Sequence, residues 1–306
     1  MIRILITGGT GFLGKKLTKQ LKDLPDTKVV SVGSRDCDLL SIDATYQLVL
    51  STSPNIIIHL AAKVGGIGAN QASPTEFLRD NLTMGLNILN EAHHTPDLKQ
   101  FLLIGSICSY PKFTPVPFME ENLWNGYPEE TNAPYGIAKK TLIVLGKSMK
   151  TQYNFPFTCL MPVNMYGPGD NFNPDTSHVI PAMIKKIIEA KRLNEFSVTM
   201  WGTGNATREF LYVEDAAKGI ASYLDVDWPD PVNLGTGKEI SIKELAELIA
   251  EIVGFNGSII WDTTKPDGQP RRCLDTSKLR TLTGFEAGTS LKEGLERTIN
   301  WYKGTL

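Results

Sequence analysis

The chain has 306 residues, of which 42% are hydrophobic and 21% are charged, a balance typical of a globular protein with a sizeable core. Its 31 basic and 33 acidic side chains give a formal net charge of −2, so the sequence lacks the cationic excess of proteins that bind nucleic acid or membrane surfaces. No apolar stretch approaches the roughly 20 residues that span a bilayer, and the N-terminal MIRILITGG is too short for a signal peptide.

The cysteines and histidines do not form a metal-binding pattern. The four cysteines (Cys37, Cys108, Cys159 and Cys273) lie far apart and contain no CxxC pair, which predicts reduced thiols and a cytoplasmic protein. The adjacent His93 and His94 fall on a predicted helix, where neighbours point about 100° apart. We therefore expect no metal.

The first two-thirds of the chain alternates short apolar runs with amphipathic stretches. The predicted strands are Arg3–Thr7, Val29–Val32, Ile56–Leu60, Phe101–Ile104 and Thr158–Pro162. The predicted helices between them are Phe12–Lys22, Pro74–Ala92 and Ala133–Lys150. Strands that alternate with helices indicate βαβ units, and nearly continuous apolar strands indicate burial on both faces. The pattern predicts an α/β fold with a Rossmann-type, doubly wound parallel sheet.

The alternation breaks after Asn164, where the segment MYGPGDNFNPDTSH is rich in Gly, Pro and Asn. Long loops of this kind in compact domains are usually functional or disordered. Further helices are predicted at Val179–Ala190, Ile242–Val253 and Leu291–Lys303. We predict a first lobe from residues 1–164 and 201–235, and a smaller α/β lobe from residues 165–200 and 236–306.

A glycine-rich turn follows the first strand directly. The sequence ITGGTGFLG places glycines in a GxxGxxG pattern at the start of the first helix. Such glycines allow a tight turn and close approach of the backbone to a pyrophosphate at the positive end of the helix. The pattern predicts a dinucleotide site formed by Gly8, Gly9, Thr10, Gly11, Phe12, Leu13 and Gly14.

The end of the second strand indicates which dinucleotide binds. An acidic residue there would accept the free 2′-hydroxyl of NAD. The sequence instead reads Gly33-Ser34-Arg35, with Asp36 just beyond. Because a guanidinium can bind a phosphate through two charge-assisted bonds, we expect Arg35 to bind a 2′-phosphate and the cofactor to be NADP(H).

An acid–base set is predicted beside this site. Tyr135 and Lys139 are four residues apart, so they share one helix face. A phenol has a pKa near 10 in water, and a neighbouring ammonium can favour the phenolate. Gly105 and Ser106 end the preceding strand, where the Ser106 hydroxyl would hold the substrate oxygen. We predict that Tyr135 exchanges a proton with the substrate.

Seven further segments carry a resemblance that runs nearly end to end. They are HLAAKVGGI, GSICSYP, NAPYGIAK, PVNMYGPGDNF, SHVIPA, WGTG…REFLYVED and KPDGQPRR. With them the chain resembles the extended short-chain dehydrogenase/reductase family, which acts on nucleotide sugars. Within that family it is similar to the enzymes that epimerise C3 and C5 and reduce C4 of a GDP-4-keto-6-deoxy sugar. The resemblance implies that the first lobe binds NADP, that the second binds the nucleotide sugar, and that the protein is a homodimer.

The resemblance also implies roles for individual residues. Cys108 and His178 would be the acid–base pair of the epimerisations. The cofactor would further contact Ala61, Ala62, Lys63, Pro162, Val163, Asn164, Met165 and His178. The substrate would contact Asn164, Lys186, Trp201, Arg208, Asp267 and Arg272.

Three departures from the family pattern leave the identity of the sugar open. Lys186 stands where arginine is usual, SICSYP replaces SSCIYP, and Thr10 replaces an arginine found in some relatives. The alternative is a reductase or epimerase/reductase for a related GDP-4-keto sugar, such as a colitose or heptose precursor. A UDP-sugar 4-epimerase fits less well, because that reaction retains NAD and needs no Cys/His pair. A catalytically inactive NADP sensor would have lost Tyr135 and Lys139, and both are present.

Overall fold

The computed structural model describes residues 1–174, 176–265 and 267–306. The strands are β1 (Ile2–Thr7), β2 (Thr27–Val32), β3 (Ile56–His59), β4 (Gln100–Ile104), β5 (Phe157–Pro162), β6 (Asn164–Tyr166), β7 (Ser197–Trp201), β8 (Thr207–Tyr212), β9 (Val232–Leu234), β10 (Glu239–Ser241), β11 (Ser258–Asp262) and β12 (Arg271–Arg272). The helices are α1 (Phe12–Lys22), α2 (Ile42–Thr52), α3 (Ile67–Ala72), α4 (Pro74–His93), α5 (Ala133–Tyr153), α6 (Val179–Arg192), α7 (Val213–Ser222), α8 (Ile242–Val253), α9 (Ser277–Thr283) and α10 (Leu291–Lys303).

The central sheet is parallel throughout, with the strand order β2-β1-β3-β4-β5-β9. Its strands β3, β4 and β5 are buried along their whole length, as expected for a sheet covered on both faces. The predicted Rossmann-type fold is confirmed. The chain runs from β1 to β2 on one side and then to β3 on the other, so the strand order reverses at β1. Ligands of doubly wound sheets bind in the crevice outside the carboxyl ends of the strands at this reversal.

The predicted helices form because each has one apolar face. In α1, for example, Leu13, Leu17 and Leu21 are buried at helical spacing. Helix α8 begins with a capping box, in which the Ser241 hydroxyl accepts from the Glu244 amide and the Glu244 carboxylate accepts from the Ser241 amide. The sequence prediction missed the shorter helices α2, α3 and α9. Among the described residues, no helix has both the length and the apolarity that crossing a membrane requires.

A second hydrophobic cluster lies under two smaller sheets. Strand β8 is flanked by β10 and β12 and also pairs with β6, while β11 pairs with β7. Helices α6, α8 and α10 supply most of the apolar side chains of this cluster. It forms the core of the smaller lobe.

Residues 201–235 contribute elements to both sheets. Helix α7 packs against α1, and β9 joins the central sheet. Strand β8 pairs with β6, β10 and β12 and so lies in the sheet of the smaller lobe. Glu209, fully buried on β8, accepts the backbone amides of Thr236, Gly237 and Leu274 through its carboxylate.

Candidate functional site

The glycine-rich turn packs closely against two neighbouring segments. A Cβ on Gly8, whose φ is +71°, would lie 2.7 Å from the Ala61 amide nitrogen at the end of β3. A Cβ on Gly14 would overlap the Gly8 carbonyl oxygen, so α1 approaches the turn as only glycine permits. Gly11 is the N-cap of α1 and provides no side-chain cap, which leaves the first amides of the helix available to an anion. The turn therefore fits a pyrophosphate.

The end of β2 leaves Arg35 exposed while Asp36 is engaged. The Asp36 carboxylate accepts the Gly33 amide at 2.8 Å, so it closes its own turn. A Cβ on Gly33 would overlap the Thr10 hydroxyl, so this turn also packs on the phosphate turn. A carboxylate that closes its own turn is not free to bind a ribose hydroxyl, whereas the exposed Arg35 guanidinium is free to bind a phosphate.

Helix α4 holds the segment after β3, through contacts that the sequence analysis did not predict. The Lys63 amide donates to Asn81 Oδ1 at 2.8 Å, and Asn81 Nδ2 donates back to the Lys63 carbonyl at 3.0 Å. The Lys63 ammonium lies 3.2 Å from the Asp80 carboxylate. Lys63 was predicted to contact the cofactor; its backbone lines this edge with Ala61 and Ala62, but its charge is paired with α4.

The residues after β4 form a 3-10 turn, not a continued strand. The Gly105 amide still donates to the Leu160 carbonyl of β5 at 2.8 Å, but Ile107–Ser109 is a 3-10 turn. The Ser106 hydroxyl caps this turn by accepting the Cys108 amide at 3.1 Å. Ser106 and Cys108 therefore do not lie on one continuous extended strand. Serine hydroxyls often bind nearby backbone amides in this way, and such a bond competes with the hydrogen bonds of a continuing strand.

Helix α5 brings Tyr135 and Lys139 to this turn. The side chains of Ser106 and Tyr135 are hydrogen-bonded to each other, and Lys139 Nζ donates to the Ile104 carbonyl at 2.9 Å. Burial, and then the nearby Cys108, raise the pKa of Tyr135, whereas burial lowers the pKa of Lys139 to about 8. The pKa of Tyr135 is therefore not lowered toward the phenolate form. Burial raises it by more than the hydrogen bond with Ser106 lowers it, and the Lys139 ammonium is bound to the Ile104 carbonyl.

Two guanidinium groups lie beside Cys108. Arg272 Nη1 donates to Cys108 Sγ at 3.6 Å. Burial, and then repulsion from Arg272, lower the pKa of Arg208 to about 10. Arg208 Nη2 donates to the Asp267 carbonyl at 3.0 Å, and the Asp267 carboxylate accepts the amide and hydroxyl of Thr203. The structure thus brings together Cys108 and three residues predicted to contact the substrate.

A second group of predicted substrate residues forms a platform on the smaller lobe. The Trp201 indole is 58% exposed, and its ring is flanked by Lys186 Nζ at 5.7 Å and Lys265 Nζ at 5.5 Å. Lys186 Nζ also donates to the Thr199 carbonyl at 3.1 Å. An exposed indole between two ammonium groups suits a base to be stacked and a phosphate to be neutralised.

The remaining predicted residues lie between the lobes. Pro162 ends β5, the Val163 amide donates to the Leu234 carbonyl at 3.0 Å, and Met165 lies on β6. The Asn164 side chain donates to the Glu209 carbonyl at 3.3 Å.

His178 is the N-cap of α6. Its loop meets the segment after β3, where the Gly66 amide donates to the Thr176 carbonyl at 3.2 Å. His178 is an exposed residue, and burial of its imidazole lowers the pKa of that group. Among the described residues, no hydrogen bond joins His178 to Cys108, and their pairing as acid and base stays a prediction. Nor do the described residues contain a cluster of three His, Cys, Asp or Glu side chains that could hold a metal ion.

Comparison with known proteins agrees with this geometry. The family model of the NAD dependent epimerase/dehydratase family matches residues 4–235. The chain belongs to this family. The chain is 39% identical to GDP-L-fucose synthase 1 of Arabidopsis thaliana, over 98% of its own length and 93% of the relative's.

Two solved structures of the epimerase/dehydratase type are similar over almost the whole chain. A GDP-L-fucose synthetase from Naegleria fowleri bound to NADP has a TM-score of 0.88 at 30% identity, covering 99% of this chain and 94% of that one. A GDP-6-OMe-4-keto-L-xylo-heptose reductase from C. jejuni has a TM-score of 0.90 at 26% identity, covering 100% and 98%. The two differ in the sugar that their names give, so overall shape does not distinguish these substrates.

Proposed function

We propose that this protein is an NADP(H)-dependent epimerase/reductase that converts GDP-4-keto-6-deoxymannose to GDP-L-fucose. The observation that carries the proposal is the grouping of Ser106, Cys108 and Tyr135 at one strand end, with an arginine on the thiol. An enzyme that only reduced C4 would need Ser106, Tyr135 and Lys139 but no thiol. A thiol beside that set supplies a group for moving protons on carbon.

The epimerisation follows from the acidity of the sugar. A 4-keto group acidifies the C–H bonds at C3 and C5, so one site can act on both. The Cys108 thiolate would remove the proton and become a thiol, while the electron pair passes into an enolate. His178 would return a proton to the opposite face of the carbon. Because His178 is an exposed residue, that proton would exchange with water.

The reduction uses Tyr135 as an acid. NADPH, when bound, supplies the hydride that C4 accepts. The Tyr135 phenol would give its proton to O4, while the Ser106 hydroxyl binds the same oxygen. Burial and Cys108 raise the pKa of Tyr135, which keeps the phenol protonated, as this direction of the reaction requires. Lys139 would then support the phenolate that remains.

The two lobes would divide the binding. The first would hold NADP(H) on the glycine-rich turn, with the 2′-phosphate on Arg35. The second would hold the nucleotide sugar, with Trp201 and Lys186 on the nucleotide and Arg208 and Asp267 near the diphosphate. The support is the exposed indole with its flanking ammonium groups and the buried guanidinium pair.

We also propose that the protein is a cytoplasmic homodimer paired through α5, the helix that carries Tyr135 and Lys139. The outer surface near α5 exposes the apolar Val144 (49%) and Trp124 (41%), which a partner copy could cover. Light scattering coupled to gel filtration tests this: a monomer at micromolar concentration would contradict it, and Val144→Glu should shift a dimer toward monomer.

A related GDP-4-keto sugar is the second candidate substrate. The lysine at position 186, a departure from the family pattern, favours it. The deciding experiment is NADPH oxidation, followed at 340 nm, with GDP-4-keto-6-deoxymannose and with a GDP-4-keto-heptose in parallel. We expect at least about a tenfold larger kcat/KM for the deoxymannose derivative, which corresponds to roughly 1.4 kcal/mol. A preference for the heptose would overturn the proposed substrate.

A further inference from the structure

Arg272 is a buried cation whose charge is not neutralised by an acidic side chain. Arg272 is 6% exposed and lies on the two-residue strand β12. The neighbouring Arg271 is exposed and pairs with Glu239, but among the described residues no carboxylate forms an ion pair with Arg272. Burying a guanidinium without an anion is costly, so an anion is expected beside it.

The guanidinium is oriented toward the thiol of Cys108. Its Nη1 lies 3.6 Å from Cys108 Sγ, and its Nε donates to Gln269 Oε1 at 2.8 Å. Gln269 is itself buried, and its Nε2 donates to the carbonyls of Pro111, at 3.2 Å, and Lys112, at 2.7 Å. Because these carbonyls closely follow the Cys108 turn, Gln269 holds the guanidinium in register with the segment that carries the thiol.

A second guanidinium also lies near the Cys108 sulfur. Arg208 faces this point, and the two guanidinium groups repel each other. The acidic groups Glu129 and Asp267 interact with Arg208 and partly offset its charge, but neither forms an ion pair with Arg272 among the described residues. Tyr135, the other titratable neighbour, stays a neutral phenol. A thiolate at Cys108 would relieve the repulsion between the two arginines.

We propose that Arg272, oriented by Gln269, is a positioning residue that holds Cys108 as a thiolate aimed for proton abstraction. The inference rests on the proposed function, and it replaces the expectation that Arg272 contacts the substrate, for example through its diphosphate. In the step itself the carbon-bound proton passes to Sγ, the thiolate becomes a thiol, and the Arg272 guanidinium keeps its charge. Arg272 thus acts on the base and not on the sugar.

The test is alkylation of the substrate-free protein by iodoacetamide, read by mass spectrometry at each cysteine. Cys37, a partly exposed thiol far from Arg272 in sequence, is the internal control. Arg272→Met should slow alkylation of Cys108 at pH 7 about tenfold and raise the pH at which the rate is half-maximal, without changing Cys37. Arg272→Lys should recover part of the rate, and the exposed-site control Arg271→Met should have no effect.

Gln269→Met provides a second variant that retains the guanidinium, in case Arg272→Met folds poorly. It should slow Cys108 alkylation severalfold and leave the circular dichroism spectrum unchanged. If both variants are alkylated at Cys108 within twofold of the rate of the unmodified protein, the proposal is overturned. A raised KM for the nucleotide sugar in the same variants would then show that Arg272 binds the substrate. Alkylation needs no sugar, so the two proposals can fail separately. If the variants lose Cys108 reactivity but the unmodified protein does not act on GDP-4-keto-6-deoxymannose, only the proposed substrate is refuted.

Discussion

Replacing Gly14 by alanine should displace the first helix from the phosphate turn. The new Cβ would lie 2.6 Å from Gly9 Cα and would overlap the Gly8 carbonyl oxygen, both of which are backbone atoms. An ordinary contact needs about 3.4 Å, so α1 must retreat by about 1 Å. Amides that bind a pyrophosphate at about 2.9 Å would then stand beyond hydrogen-bond distance.

The cost follows from the bonds that are lost. Each charge-assisted hydrogen bond is worth about 1.5–3 kcal/mol, so weakening two of them should cost about 3 kcal/mol. This predicts that the dissociation constant of NADPH rises about 100-fold.

Fluorescence titration of NADPH measures this constant directly. Gly288→Ala is the matched control, because a Cβ at Gly288 meets nothing within 4 Å. The control should bind like the unmodified protein. If Gly14→Ala keeps its circular dichroism spectrum and binds NADPH within threefold of the unmodified protein, the assignment of the phosphate site is refuted.

Three further predictions concern the cofactor and the reduction. Arg35→Ala should weaken NADPH at least about tenfold in the same titration while leaving NADH within about twofold, because only NADPH carries the 2′-phosphate; equal losses would contradict the assignment. Tyr135→Phe should slow NADPH oxidation at least about 1,000-fold but preserve deuterium exchange into the sugar, since the phenol serves only C4; loss of both would show that Tyr135 also serves the epimerisations. The Lys139 ammonium is lost as the pH rises through its pKa of about 8, so kcat/KM for reduction should fall on that alkaline limb. Lys139→Met should reduce the substrate more slowly at every pH, and its kcat/KM should not fall above about pH 8. If kcat/KM still falls there, another group causes the decrease.

Much of the fold was predictable because its signals are local. Helix α1 ends where the predicted one does, since its leucines recur at helical spacing. The strands of the central sheet read as short apolar runs, and their alternation with helices determines the class of fold. The sheet that contains β8 leaves no local signal, because β8 pairs with β6, β10 and β12, which lie far from it or beyond a loop in the chain.

The site was predictable where residues act within one turn or one helix. The glycine pattern and the Tyr135–Lys139 spacing are of this kind. The contact of Arg272 with Cys108 spans 164 residues and leaves no local pattern, so the sequence did not indicate it. The 3-10 turn after β4 was not predicted, because it depends on a hydrogen bond from the Cys108 amide to the Ser106 hydroxyl. The spacing of apolar residues carries no information about such a bond.

The claim that one site both epimerises and reduces is tested most directly by turnover in deuterated water. The unmodified protein would be given unlabelled NADPH and GDP-4-keto-6-deoxymannose, and the product sugar would be analysed by NMR. The account predicts deuterium at C3 and C5 and protium at C4, with the labels lost in Cys108→Ser. A reduced product without deuterium at C3 and C5 would contradict it.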